Sequence, residues 1–180
     1  MTPPGSLLLS VPEMVDPNFE ATVVLVCKHD AEGALGLVLN RPLEVRAGQV
    51  LQEEPGLGGL EEAIHWGGPV GLERLHVLHD AADPEELSLP VAEGIRFGGD
   101  LAFLRRAREE GCRLRFFLGY SGWGEGQLEG ELEAGAWRVL PPAAAEVWEE
   151  PALHQWERLT AGQDKRYRWM NSLPDDPEVN

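Results

Sequence analysis

The sequence predicts an α+β (mixed α/β) protein, a sheet with helices packed on it, and three observations carry that reading. A dense β-branched run, Thr22-Val23-Val24-Leu25-Val26-Cys27, is followed after a three-residue turn by a second apolar stretch from Ala34 to Leu39, the pattern of a hairpin. Helix and strand patterns then alternate between Gly98 and Leu140. No internal repeat or composition shift separates the hairpin part from the alternating part, so both feed one core.

The elements follow in order. Asp16-Pro17-Asn18-Phe19 has the form of a helix start, with Asp16 as N-cap and Pro17 in the first turn. Thr22 to Cys27 reads as a strand buried on both faces. Ala31-Glu32-Gly33 turns the chain into Ala34–Leu39, and Asn40-Arg41-Pro42 ends that strand because proline removes a ladder donor. A short amphipathic helix is expected from Ala47 to Glu54, then a flexible loop at Gly56-Leu57-Gly58-Gly59. Ile64-His65-Trp66 and Leu75 to His79 read as strands around the glycine turn Gly67-Gly68-Pro69-Val70, and Asp80 to Pro90 as exposed loop. Gly98-Gly99-Asp100 opens a helix whose Leu101, Leu104 and Ala107 share a face, and Gly111 stops it. Arg113 to Gly119 is a strand, Tyr120 to Gly124 a loop, Glu125 to Ala134 a helix stopped by Gly135, and Ala136 to Leu140 a strand. Helical patterns recur at Ala143–Trp148 and Ala152–Leu159.

One domain, residues 1–161, is expected, with a polar tail from 162 to 180 that is loosely docked or disordered. An apolar share of 43% against 26% charged is that of a globular chain, not a disordered one. Cys27 and Cys112 stand in no metal spacing, and two cysteines in a chain of this length suggest reduced thiols in a cytosol. The opening residues lack the basic flank and apolar run of a signal peptide, and no stretch approaches a membrane span, so a cytoplasmic protein without membrane contact is expected.

Charge narrows the partners. Fifteen Lys and Arg face 31 Asp and Glu, a formal charge of −16, which repels nucleic acid at long range. The one basic cluster, Arg105 to Arg115, is read as helix arginines pairing with Glu109, Glu110 and other acids. Direct DNA binding is not expected; a protein partner is, and a basic one would suit the charge.

Catalytic patterns are weak. Gly119-Tyr120-Ser121-Gly122-Trp123 approaches the nucleophile elbow G-x-S-x-G, but Trp123 stands where the second glycine is required. Cys27 and His29 are two apart on a strand, so they would share a face, where an imidazole could activate the thiol. Burial of the cysteine and a strand end at His29 are the commoner arrangement. His76 and His79, three apart on a strand, point to opposite faces, and with His65 they make no zinc set; no metal is expected. Trp66-Gly67-Gly68 and Ser121-Gly122-Trp123 each place indole beside glycine, which suits either a tight packed turn or a ligand or partner cleft. Neither loop matches a phosphate or dinucleotide template, and no cofactor is expected.

In order along the chain, several stretches resemble the YqgE/AlgH family of bacterial proteins. They include Gly5-Ser6-Leu7-Leu8, Asp16-Pro17-Asn18-Phe19, Gly33-Ala34-Leu35-Gly36-Leu37-Val38-Leu39-Asn40-Arg41-Pro42, Gly67-Gly68-Pro69-Val70, and Gly119-Tyr120-Ser121-Gly122-Trp123-Gly124 with Gly126-Gln127-Leu128-Glu129. The resemblance implies a bifurcated, barrel-like sheet with helices around it and a label as transcriptional regulator; it supplies no agreed catalytic or ligand residues. Two functions follow as expectations. The first is a non-enzymatic interaction or regulatory factor. The alternative is a small-molecule binder or enzyme using the glycine–tryptophan loops, with Cys27, His29, Asn40, Arg41, Trp66, Gly67, Gly68, Ser121 and Trp123 lining the cleft.

Overall fold

The computed structural model describes residues 1–166 apart from 84, 150, 151 and 153; the tail expected from 162 onward therefore lies mostly outside the described residues. In chain order the elements are β1 (Leu7–Ser10), β2 (Val23–Asp30), β3 (Gly33–Val38), β4 (Pro42–Arg46), α1 (Ala47–Val50), β5 (Ala63–Trp66), β6 (Val70–His79), β7 (Ser88–Ala92), β8 (Ile95–Gly98), α2 (Leu101–Glu109), β9 (Leu114–Gly124), α3 (Gln127–Glu133), β10 (Trp137–Leu140), α4 (Ala144–Val147) and α5 (Gln155–Gln163).

The strands form one sheet in the order β10-β1-β2-β3-β9-β6-β8-β7, with β4 and β5 as a side branch on β9. Every pairing is antiparallel except β5 with β9. The branch is the bifurcation implied by the family resemblance. Along one edge of β9, Phe116 to Leu118 pair with β5, and Ser121 to Gly124 pair with β3. The sheet curls without closing into a barrel. Its ends, β10 and β7, share no ladder, although a Cβ at Gly5, just before β1, would stand 2.8 Å from Ala92 Cβ at the end of β7.

The β2 run does what its composition requires. Val23, Leu25 and Cys27 face a core shared with Leu37, Phe117 and the α5 residue Trp156, while Val24 and Val26 face a second core with Trp123, Leu128 and Trp137. A strand with both faces covered has no use for polar alternation. The third core packs α2 on β6 and β9 through Phe103, Leu104, Val77 and Phe116.

Several expectations change in the tertiary context. Asp16 to Glu20 makes a single turn instead of a helix: Asp16 O accepts from the Phe19 and Glu20 amides, and Phe19 is drawn onto the rings of Trp123 and Trp137. The Ala47–Glu54 helix is only the four residues of α1. The strands flanking Gly67–Val70 do not pair with one another but lie on either side of β9. Leu101 is 38% exposed, because Phe103, not Leu101, completes the buried face of α2. Asp100 caps that helix as expected, accepting from the Phe103 amide at 2.8 Å. The arginines of α2 pair with acids other than Glu109 and Glu110. Arg105 meets Glu54, and Arg105 and Arg108 grip the carbonyls of Pro55, Gly56 and Gly59, so the glycine loop is held down with Leu57 buried.

The stretch from Asp80 to Pro90, expected as exposed loop, contains the start of β7 and a carboxylate removed from solvent. Asp83 accepts from the Ser88 hydroxyl at 2.6 Å, from the Leu87 and Ser88 amides, and from Arg96. These donors, the Ser88 hydroxyl foremost, hold its pKa at about 2. The unfolded carboxyl binds its proton more tightly than the folded one. The stabilisation is therefore complete above about pH 4, the ordinary carboxylate range, and is lost as pH falls through about 2. Asp83→Asn is expected to lower the midpoint of urea unfolding at pH 7 and to have a smaller effect at pH 2; equal effects at both pH values would refute this account.

Candidate functional site

The two glycine–tryptophan segments meet, and they meet at the fork. Gly67 follows the last residue of β5, and its amide donates to Leu118 O of β9 at 2.8 Å. Its carbonyl accepts from Val38 N of β3 at 3.0 Å and from Ser121 Oγ of β9 at 3.1 Å. One residue thus ties three strands where the neighbour of β9 changes. No side chain fits there. A Cβ on Gly67 would stand 2.3 Å from Gly119 O, and one on Gly68, where φ is +152°, would stand 2.2 Å from the Tyr120 carbonyl carbon. The glycines permit backbone-on-backbone contact, so the two segments pack directly on one another at Gly67 and Gly68.

The other expected cleft residues are distributed by this arrangement. Ser121 is fully buried, with its hydroxyl committed to Gly67 O. Trp123 is 5% exposed, and its indole N–H donates to Glu131 of α3 at 2.9 Å. Trp66 packs against the same core, and the Arg41 guanidinium lies over its ring at 5.0 Å. Arg41 also donates to the carbonyls of Pro17 and Glu20, while Asn40 accepts from Val23 N and donates to Ala21 O, both at 2.9 Å. Asn40 and Arg41 therefore fasten the segment before β2 to the end of β3.

Cys27 and His29 do not share a face. The β2–β3 register runs from Val26 opposite Gly36 to Lys28 opposite Leu35, leaving Cys27 as the extra residue of a bulge. One added residue reverses the alternation, so Cys27 points into the core with Leu25 and Leu37, while His29, opposite Ala34, faces α3. The His29 side chain is 1% exposed. Its Nδ1 accepts from Thr2 N at 2.9 Å, which leaves Nε2–H to donate to Glu129 at 2.9 Å. Burial pushes the Cys27 thiol well above the usual thiol range. Burial also raises Cys112, helped by Asp80 and Glu110, but that residue is only partly covered. A disulfide-exchange reagent is expected to label one thiol in the native protein, Cys112, with Cys27 reacting only on unfolding. Labelling of Cys27 under native conditions would show that the bulge opens.

The histidines sit apart as well. His76 stacks on Phe97, His79 lies fully buried against Phe103, and His65 Nε2 accepts from Arg115, 3.2 Å away. Burial lowers the pKa of His76 and His79, favouring the neutral rings. Among the described residues no group of three or more His, Cys, Asp and Glu could hold a metal ion, and no helix is long and apolar enough to cross a membrane.

Three features escaped the sequence. Glu131 accepts both indole N–H groups, from Trp123 at 2.9 Å and Trp137 at 2.8 Å, which no spacing announces. Arg115, counted in the basic cluster, is 3% exposed and donates to the carbonyls of Leu39 and Val147. On the open side of the fork lies a groove of about 390 Å³ lined by Leu35, Val70, Tyr120, Gly122 and the expected cleft residue Trp123 among others. The groove depends on pairing partners far apart in the chain.

A sheet forked at a glycine-tied strand, flanked by helices, defines the structural class. A structure of a Corynebacterium diphtheriae protein shares it with a TM-score of 0.77 at 20% identity, covering 96% of this chain and 93% of that one. The solution structure of AlgH from Pseudomonas aeruginosa matches with a TM-score of 0.71 at 28% identity, covering 94% and 93%. The family model described as AlgH-like matches residues 7–168, and the chain belongs to that family. A UPF0301 protein of Chlorobaculum tepidum is 35% identical to it over 181 residues, covering 98% of this chain and 95% of the relative.

Proposed function

We propose that the protein is a non-enzymatic interaction factor of the cytoplasm that docks a basic protein partner and regulates through it, without direct contact to DNA. One observation carries this reading. The polar groups that could do chemistry at the fork are engaged in holding the backbone: Ser121 on Gly67, His29 between Thr2 and Glu129, and Cys27 inside the core. What the molecule offers outward is charge, −16 overall. Such a field draws cationic partners and weakens phosphate contact. The two free thiols fit a reducing compartment.

Crosslinking in cells followed by mass spectrometry is the test. A partner of basic composition is expected, retained at low ionic strength and released as salt rises. Turnover of an acyl or phosphoryl ester by the purified protein, lost in Ser121→Ala, would overturn the reading. A second reading, small-molecule binding, draws on a separate cavity of about 500 Å³ lined by Arg46, Glu61, Glu62, Arg113, Arg115 and Trp148 among others. A thermal-shift screen of small metabolites addresses it, since a bound ligand raises apparent stability by mass action.

A further inference from the structure

We propose that the groove on the open side of the fork is the docking surface, and that its occupant is a basic protein segment carrying large apolar side chains. The inference rests on the docking reading and names its place.

Sheet register assembles the surface. Val70 of β6 lies directly opposite Tyr120 of β9, and Leu35 of β3 lies opposite Gly122 of β9, so Val70, Tyr120 and Leu35 share one face. Between Val70 and Leu75, β6 carries four residues against the single Gly119 of its partner. This bulge sets Leu72 over Gly119, where its Cδ2 would lie 3.0 Å from an added Cβ. Val70 is 40% exposed and Leu72 52%. Single exposed apolar side chains are ordinary, but Val70 lines a groove that also includes the partly covered Tyr120 and Leu35, with Leu72 two residues further along the bulge. Interface anchors of this kind, an aromatic ring with aliphatic neighbours, are typical of binding hot spots.

Charge selects the occupant. Asp30 and Glu32 line the groove and Glu73 follows Leu72 on the bulge. The cations beside them are paired, Lys28 with Asp30 at 2.7 Å and Arg74 with Glu73 at 3.6 Å, which leaves Glu32 as excess negative charge. A second copy of this chain would bring another −16 to the contact, and nucleic acid would bring phosphates; both are repelled. A lysine- or arginine-rich segment with leucine or aromatic anchors complements both the apolar floor and the rim.

The test uses the full chain and a fluorescein-labelled peptide of alternating arginine and leucine, read by fluorescence anisotropy. Val70→Ser is expected to weaken binding at least ~10-fold, as loss of an anchor lining the groove does. Leu89→Ser, 48% exposed on the distant edge strand β7, is expected to change it by less than about twofold. Thermal scans check that both variants fold as the wild type does. Added salt weakens the wild-type complex, and Glu32→Lys with Glu73→Lys flattens that dependence. Unchanged affinity in Val70→Ser overturns the surface, and equal binding of a glutamate–leucine peptide overturns the basic occupant. A concentration-dependent dimer lost in Val70→Ser assigns the face to a second copy and also overturns the proposal. The two readings fail separately. A crosslinked partner still captured by Val70→Ser sinks the surface and spares docking, whereas absence of any salt-sensitive partner sinks docking itself.

Discussion

Gly67→Ala is expected to abolish the cooperative thermal transition. The added methyl would meet Gly119 O at 2.3 Å, Leu37 Cδ2 at 3.0 Å and Phe117 Cβ at 3.1 Å. The first of these is backbone, fixed by β9's ladders on both edges, so it cannot swing aside as a flexible side chain would. Forcing β5 away from β9 breaks the bonds from Gly67 N to Leu118 O and from Ser121 Oγ to Gly67 O, and it opens two of the three cores. The expected loss exceeds ~4 kcal/mol, a large part of the ~5–15 kcal/mol by which domains are stable. Gly130→Ala is the contrast. That glycine lies inside α3 with no atom within 4 Å of an added Cβ, so alanine there is expected to stabilise by ~0.5–1 kcal/mol. A Gly67→Ala protein melting within a few degrees of wild type would show that the fork tolerates a side chain, and the account of it given above would be wrong.

Glu131→Ala is expected to cost ~2–4 kcal/mol, because it strands two largely buried indole N–H groups at once. The carboxylate also holds Gln127 at 3.0 Å, whose own Oε1 accepts the Gly124 amide where β9 gives way to α3. Glu131→Gln keeps one good acceptor and loses the charge, so roughly half that cost is expected. Urea unfolding monitored by tryptophan emission measures both, since Trp123 and Trp137 report on the same core. A change under ~0.5 kcal/mol in Glu131→Ala would mean that water or another acceptor satisfies the indoles and that the double contact is incidental.

How far the site was legible depends on which interactions are local. The β2–β3 hairpin, the Asp100 cap and the α3 helix are written in neighbouring residues, and they form where the pattern places them. Tyr120 to Gly124 reads as a loop because glycine and serine weaken strand propensity, yet it is the second half of β9. Two neighbouring strands, β3 and β6, supply hydrogen bonds that propensity cannot anticipate. Cys27 and His29 illustrate the same limit on a smaller scale. Period-two alternation puts them together, and a single bulge residue separates them. Leu101 fails for a related reason: helical spacing names a face but not its centre, and Phe103 wins the buried place because it fills more volume against β6.

By itself the sequence determined an α+β chain of strong negative charge, with doubly buried β2, capped α2 and glycine where backbones must approach closely. These follow from properties each residue carries with it: shape, hydropathy, charge and permitted φ. Only the tertiary structure decided that the glycines of the two segments tie one fork, that cysteine and histidine face apart, and that Val70, Tyr120 and Leu35 come out on one face. Those outcomes depend on strand register between segments tens of residues apart, and register is fixed by the whole set of ladders and cores at once.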